Sequence, residues 1–226
     1  MSGRTDVSCV GTLDVRGIGL RGMESRHIGC LYLCRRMFSP EAEHAREKYK
    51  GEVAHGYDAK REKQAKWHEE NRIMRELLAD LPRGSSVVDV PVGTGRFIPL
   101  YEELGFRVLG LDISDDMLME AAQKAKSDDT YLRIGNAIEL DLPDNTCDVA
   151  VCVRLFRWIT PEEVVKVLQG LQRIATKRVI FNARVADHPY QRPISLLRSG
   201  LIDNWLFTRV EEIEPNYLMF QAEPII

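Results

Sequence analysis

The amino-acid sequence predicts an α/β fold: a three-layer sandwich with a mostly parallel seven-stranded sheet, a C-terminal antiparallel hairpin, and helices on both faces. Beyond Gly84, short apolar runs alternate with amphipathic stretches of helical periodicity, which is typical of βαβ units and a parallel sheet. Near the end of the chain, two β-rich runs at 205–213 and 217–222 are joined too tightly for a helical crossover. We therefore expect these two runs to form the hairpin at the sheet edge.

Length and composition favour one domain and a small-molecule partner. A chain of 226 residues that is 44% hydrophobic can bury one substantial core. The net charge of −3 gives no overall positive field, so nucleic acid is not favoured as a partner. No stretch approaches the roughly 18 uncharged apolar residues of a membrane span, and an odd count of five cysteines implies no disulfide framework. We expect a cytoplasmic protein that binds no membrane.

The first 36 residues differ in composition from the rest of the chain. They hold six of the sixteen glycines and six arginines, with no sustained period of 2 or 3.6. His27, Cys30 and Cys34 lack an evident fourth ligand and match no standard zinc spacing, so no metal site is expected. The sequence therefore predicts a poorly ordered extension at 1–36 and a single domain at 37–226.

A helix precedes the sheet. Its apolar residues recur at helical spacing, beginning at Trp67 and continuing through Met74 and Leu77, and the helix is expected to end by Gly84. The charged residues between Lys60 and Arg75 are expected on its solvent face.

A glycine-containing turn follows the first strand, which is predicted at 85–90. Asp89 stands at the strand end, and Gly93 and Gly95 allow positive φ and close approach of a ligand. A helix beginning at Arg96 would direct its free N–H groups at a bound molecule. The second strand, at 106–112, ends in Asp112, where nucleotide-binding α/β folds place the acid that holds a ribose. Together these features predict a nucleotide-type cradle.

The later elements follow from capping signals and apolar runs. Ser114 is the predicted N-cap of a helix whose inward face includes Met117, Ala121 and Ala122. Strands are expected at 131–134, 148–153 and 178–182. Thr160, with a proline at the next position and a glutamate three residues on, predicts a capping box. The segment 184–203 shows no strand period and is expected to be a long loop that acts as a lid.

In these motifs, residues 85–159 resemble the class I S-adenosylmethionine-dependent methyltransferases, which form a seven-stranded Rossmann-like family. The terminal hairpin is similar to the reversed last strand of that family. The resemblance covers roughly 50–222. Pro91 replaces the family's first glycine. Proline requires only a negative φ at this position, but it removes one backbone N–H donor.

The resemblance implies S-adenosyl-L-methionine as cofactor and a set of residues that bind it. These are Tyr57, Asp89, Val90, Pro91, Gly93, Thr94, Gly95, Asp112, Ile113, Met117, Asn136, Ala137 and Arg154. Asp112 would accept the ribose hydroxyls, Ile113 and Met117 would cover the adenine, and Asn136 with Ala137 would read the adenine amino group. Tyr57 belongs to the segment that covers the cofactor in many relatives.

Arg154 would lie near the sulfonium and the acceptor entrance, and it is a catalytic candidate together with His188. Leu155, Phe156 and Trp158 follow Arg154 and are also candidates for the region near the sulfonium and the acceptor entrance. Packing in the core is an equally good interpretation of these three residues. Methyl transfer is an in-line displacement that depends on positioning and exclusion of water, and a general base would help an oxygen acceptor. The expected acceptor is an oxygen or nitrogen of a small molecule, with an anionic molecule as one option because of Arg154, Arg184 and Arg192.

Three alternatives stay open. One is a methyltransferase acting on nucleic acid or a modified nucleotide, although the Asn/Asp-Pro-Pro-aromatic loop of base amino-methylating enzymes is replaced here by residues 153–156. Another is a nicotinamide-dependent dehydrogenase, which is disfavoured because no third glycine completes the expected spacing. The third is a protein that binds S-adenosylmethionine without turnover.

Overall fold

The computed structural model describes Glu47 and residues 51–185, 194–201 and 204–225. The predicted extension at 1–36, and with it His27, Cys30 and Cys34, lies outside this part of the chain. The helices are α1 (Glu52–His55), α2 (Tyr57–Arg61), α3 (Ala65–Leu78), α4 (Ile98–Glu103), α5 (Asp115–Ala122), α6 (Pro161–Ile174) and α7 (Ile194–Ser199). The strands are β1 (Ser86–Asp89), β2 (Arg107–Asp112), β3 (Thr130–Ile134), β4 (Cys147–Cys152), β5 (Ala175–Arg184), β6 (Trp205–Glu214) and β7 (Tyr217–Pro224). A 3₁₀ helix, Phe156–Trp158, lies between β4 and α6.

Seven strands form one sheet in the order β3-β2-β1-β4-β5-β7-β6. Strands β1 to β5 pair parallel with one another, whereas β7 pairs antiparallel with both β5 and β6. The predicted fold class is therefore confirmed, including the C-terminal hairpin. In this order β1 lies between β2 and β4, so the carboxyl ends of three parallel strands open at the same edge.

Alternate residues of the central strands face two separate apolar layers. Val88 and Ala150 pack in the layer that contains α6, and five apolar residues of that helix are fully buried: Val164, Val167, Leu168, Leu171 and Ile174. Val87 and Val149 pack on the opposite face, against Met74 and the other apolar residues of α3. Helices therefore cover both faces of the sheet, as the three-layer prediction requires.

Two predicted capping signals occur in the structure. The Thr160 hydroxyl accepts a hydrogen bond from the backbone N–H of Glu163, and the Glu163 carboxylate accepts one from the N–H of Thr160. Ser114 accepts from the N–H of Met117 at the start of α5. These contacts fix where α6 and α5 begin, because each satisfies amides that have no partner within the helix.

Other expectations were wrong. Ala122 is exposed, because it lies about 100° around α5 from the buried Ala121 and so points away from the sheet. Within 184–203, residues 194–199 form α7 rather than loop, and Leu197 of this helix is fully buried against the α6 layer. One charge of α3 is not on the solvent face, since Glu70 is 0% exposed. The further residues of that segment, 186–193 and 202–203, are not among the described residues.

Candidate active site

A cavity opens at the carboxyl ends of β1, β2 and β4. It holds about 1080 Å³ of empty space, counting the part open to solvent. It is lined by Tyr57, Asp89, Val90, Pro91, Gly93, Thr94, Asp112, Ile113, Met117, Asn136, Ala137 and Arg154, all of them predicted site residues. Of the remaining predicted residues, Gly95 does not line the cavity and His188 lies outside the described part of the chain.

The two glycines of the turn have different surroundings. Gly93 has a φ of +56°, and a Cβ placed on it would meet no atom within 4 Å. Gly95 has a φ of +73°, but a Cβ there would lie 2.7 Å from Ile98 Cδ1 and 2.9 Å from Ala121 Cα. Gly93 therefore keeps space open at the cavity wall, whereas Gly95 allows the turn to pack closely against α5. This corrects the expectation that Gly95 makes room for a ligand.

Asp112 joins the turn to α5. Its Oδ2 accepts the backbone N–H of Gly93 and its Oδ1 accepts that of Ser114, both at 2.9 Å. Burial raises the pKa of Asp112 to about 6 and outweighs the opposing effect of these amide donors. The carboxylate is thus ionised at neutral pH and held in one orientation at the cavity wall.

Asp89 is a second buried carboxyl at this wall. Its Oδ2 accepts a hydrogen bond from the Tyr101 hydroxyl at 3.0 Å. Burial raises the pKa of Asp89 to about 8, and the nearby charge of Asp112 adds to the shift. The two carboxyls of the cavity therefore differ in protonation at neutral pH, with Asp89 mainly neutral and Asp112 mainly charged.

The loop after β3 forms another part of the wall. Asn136 Oδ1 accepts the backbone N–H of Ile138 at 3.0 Å, which closes a tight local turn. An amide oxygen has two acceptor positions, so one remains for a ligand. Met117 and Ile113 also line the cavity, and they give it an apolar surface.

A buried ion cluster lies beside the cavity, and sequence reasoning missed it. Glu70 forms ion pairs with Arg96 and with Arg154 Nη2, the second at 2.5 Å. Asn182 Nδ2 and the Tyr217 hydroxyl also donate to Glu70, at 3.2 and 2.8 Å. Burial disfavours the charge on Glu70, but hydrogen bonds and the charges of both arginines lower its pKa overall.

The segment before α3 contacts the glycine turn. The Thr94 hydroxyl donates to Asp58 Oδ1 at 2.7 Å, and Lys124 contacts Asp58 as well as the Thr94 carbonyl. Tyr57, next to Asp58, lines the cavity. The structure therefore places Tyr57 at the cavity, next to the segment that contacts the glycine turn.

After β4, adjacent residues have different positions. Leu155 and Trp158 line the cavity, whereas Phe156 is buried and packs on Phe181 at 5.4 Å between ring centroids. Phe156 is thus a core residue, and Leu155 and Trp158 form an apolar wall beside Arg154. His55 and His68 do not line the cavity, and within the described residues no cluster of three or more His, Cys, Asp or Glu side chains suits a metal ion.

Comparison with known proteins agrees with this geometry. Residues 88–181 match the family model described as a methyltransferase domain. The chain is 37% identical over 110 residues to a phosphatidylethanolamine N-methyltransferase of Cereibacter sphaeroides, covering 46% of this chain and 54% of that protein. It is 40% identical over 90 residues to a demethylmenaquinone methyltransferase of Bacillus licheniformis, covering 37% of this chain and 38% of that protein. The chain spans about half or less of these relatives' length.

A solved structure shares the fold. The magnesium protoporphyrin IX methyltransferase of Synechocystis PCC 6803, crystallised with bound SAH, superposes with a TM-score of 0.67 at 16% identity. The superposition covers 81% of this chain and 99% of that one. None of the described helices is long and apolar enough to cross a membrane.

Proposed function

We propose that this chain, which carries a class I methyltransferase domain, transfers a methyl group from S-adenosyl-L-methionine to an oxygen or nitrogen of a small molecule. The observation that carries the proposal is the Asp112 carboxylate, which is held by the amides of Gly93 and Ser114 at the wall of a cavity between β1, β2 and β4. A fixed carboxylate at this edge of a parallel sheet is suited to the two hydroxyls of a ribose.

The residues present fit the cofactor. Space stays open above Gly93, where a Cβ would meet nothing within 4 Å, so a ligand can approach the backbone there. Ile113 and Met117 offer an apolar surface to the adenine, and Asn136 keeps an acceptor for its amino group. Asp89 and Thr94 also line the cavity, and the resemblance implies that the methionine part of the cofactor lies beside the turn that contains them.

The cofactor supplies a sulfonium whose methyl group is open to in-line attack. The chain's own task is to hold an acceptor beside it and to exclude water. Leu155 and Trp158 offer an apolar wall to the acceptor, and Tyr57 of the N-terminal segment also lines the cavity. No histidine lines the cavity within the described residues, which favours acceptors that need little proton transfer. His188 stays a candidate base.

A small-molecule acceptor is supported over nucleic acid by composition and by the relatives. The net charge is −3, whereas nucleic-acid enzymes need a positive surface. The names of the similar proteins give phosphatidylethanolamine, demethylmenaquinone and magnesium protoporphyrin IX as substrates. All of these are small molecules.

Binding of S-adenosylhomocysteine tests the proposal directly. Calorimetric titration of the full chain is expected to give saturable binding, with no binding of a nicotinamide dinucleotide. Asp112→Asn, which keeps an acceptor but removes the charge, is expected to weaken binding about 10- to 100-fold, because hydrogen bonds to charged groups contribute about 1.5–3 kcal/mol. Asp115→Asn is the matched control, since Asp115 is exposed and does not line the cavity. Equal affinities of the two variants would contradict the proposed role of Asp112.

Turnover requires a second measurement. Release of S-adenosylhomocysteine from S-adenosylmethionine is measured with amine, phenol and carboxylate acceptors. Release that depends on one acceptor supports an enzyme, whereas tight cofactor binding without release from any acceptor supports a protein that binds without turnover.

A further inference from the structure

Two arginines share a single carboxylate beside the cavity. Arg96 and Arg154 both line the cavity, and both form ion pairs with Glu70. Glu70 is 0% exposed, and the side chains of Arg96 and Arg154 are 8% and 18% exposed. One negative charge therefore faces two positive charges in a region with little solvent, where an unbalanced charge interacts strongly with a ligand.

Each of the three guanidinium nitrogens of Arg96 makes a hydrogen bond. Its Nε donates to Asn71 Oδ1 at 3.1 Å, its Nη1 to Glu70 and its Nη2 to the Trp67 carbonyl. The guanidinium also stacks on the Trp67 ring, 3.7 Å from the ring centroid. Arg96 is thus held as a fixed charge by contacts at all three of its guanidinium nitrogens.

Arg154 uses only one edge of its guanidinium. Its Nε and Nη2 donate to the two oxygens of Glu70, at 3.2 and 2.5 Å. Its Nη1 donates to no residue of the described part of the chain. A guanidinium can bind one carboxylate through each edge, so the second edge of Arg154 is available to a ligand.

The position of Arg154 is fixed at both ends. Its backbone has a φ of +66°, and its N–H donates to Asn182 Oδ1 at 2.7 Å. Asn182 in turn donates to Glu70 and to the Tyr217 hydroxyl, at 3.2 and 2.7 Å. Asn182 therefore holds both the backbone of Arg154 and the carboxylate that orients its guanidinium, which is the arrangement of a pre-organised recognition residue.

We propose that Arg154, oriented by Glu70, binds a carboxylate of a small molecule held in the cavity. The inference rests on the proposed function, and two molecules supply such a group: the acceptor, seated against Leu155 and Trp158, and the cofactor through its amino-acid carboxylate. Glu70 is the positioning residue, and the free edge of Arg154 makes the contact.

The first arm of the test concerns the cofactor. Affinities of S-adenosylhomocysteine and of its decarboxylated analogue are measured for the wild type, for Arg154→Met and for Arg198→Met, an exposed arginine outside the cavity. If the cofactor supplies the carboxylate, Arg154→Met weakens the binding of S-adenosylhomocysteine about 10- to 100-fold. The affinity for the decarboxylated analogue is then unchanged.

The second arm concerns the acceptor. Benzoate and benzamide, which have similar shape but differ in charge, are titrated into the protein saturated with S-adenosylhomocysteine. If the acceptor supplies the carboxylate, the wild type prefers benzoate by about tenfold or more, and Arg154→Met abolishes that preference. Arg154→Lys, which retains a charge to balance Glu70, is measured in parallel and is expected to retain only part of the preference.

The proposal is overturned if neither probe pair shows a preference that depends on Arg154. Equal losses for charged and neutral ligands also overturn it, because they indicate a purely structural role. Failure of the proposed function gives a different result, since the wild type would then bind neither S-adenosylhomocysteine nor its analogue.

Discussion

Replacing Gly95 by alanine is expected to destabilise the fold. At a φ of +73° an alanine costs about 1–2 kcal/mol in backbone strain. Its Cβ would also lie 2.7 Å from Ile98 Cδ1 and 2.9 Å from Ala121 Cα, and such overpacking costs about 1–3 kcal/mol. The free energy of unfolding should therefore fall by about 2–5 kcal/mol, and each kcal/mol lowers the melting temperature of a chain this long by about 2–4 °C.

Gly93→Ala is the matched control, because it shares the positive φ but not the packing contact. With a φ of +56° and no atom within 4 Å of the added Cβ, it should lose only about 1–2 kcal/mol of stability. Its Cβ would instead occupy the cavity, so S-adenosylhomocysteine affinity should fall roughly 10- to 100-fold, as steric costs of about 1–3 kcal/mol imply. Urea unfolding and calorimetry measure the two quantities. Equal destabilisation by both variants would refute the assignment of Gly95 to packing.

Three further predictions test local contacts. Thr160→Ala removes one half of the capping box of α6 and should lower the free energy of unfolding by about 1 kcal/mol in urea titrations; no change would show that α6 begins without this cap. Asp89 has a pKa of about 8 in the folded state, above its unfolded value near 4, so it makes the free energy of unfolding fall as pH rises from about 4 to 8, by up to about 1.4 kcal/mol per unit. Asp89→Asn should remove this contribution, and parallel pH profiles for the two proteins would contradict the buried neutral carboxyl. Asp58→Asn breaks the ion pair with Lys124 and should raise the rate of amide hydrogen exchange in α2 about fivefold, because the local stability falls by about 1 kcal/mol. An unchanged exchange rate would mean that the ion pair does not hold this segment.

The predictable parts of this protein depend on residues close together in the sequence. The capping box at Thr160, the N-cap at Ser114 and the acid at Asp112 each form with partners within a few residues or at an expected strand end. The predicted hairpin also depends on a short connection. Patterns of this kind are visible in the sequence because the chemistry and the geometry are local.

The parts that sequence reasoning missed depend on distant partners. Glu70 lies in a run of charges whose usual place is a solvated helix face. Its partners Arg154, Asn182 and Tyr217 come from three other parts of the chain, separated from it by 84, 112 and 147 residues. No local period can reveal such a cluster. Arg154 was expected at the cavity, but its carboxylate partner was not.

This long-range cluster gives the terminal hairpin a role at the cavity. Tyr217 begins β7, and its hydroxyl donates to Glu70 while accepting from Asn182 of β5. Because β7 pairs with β5 from Arg184 to Val179, the register of the hairpin sets where that hydroxyl lies. A one-residue shift would move Tyr217 to the other face of the sheet and leave the Glu70 carboxylate without one of its donors. The hairpin is therefore more than the edge of the sheet, since its pairing determines how firmly Glu70 orients Arg154 toward a ligand.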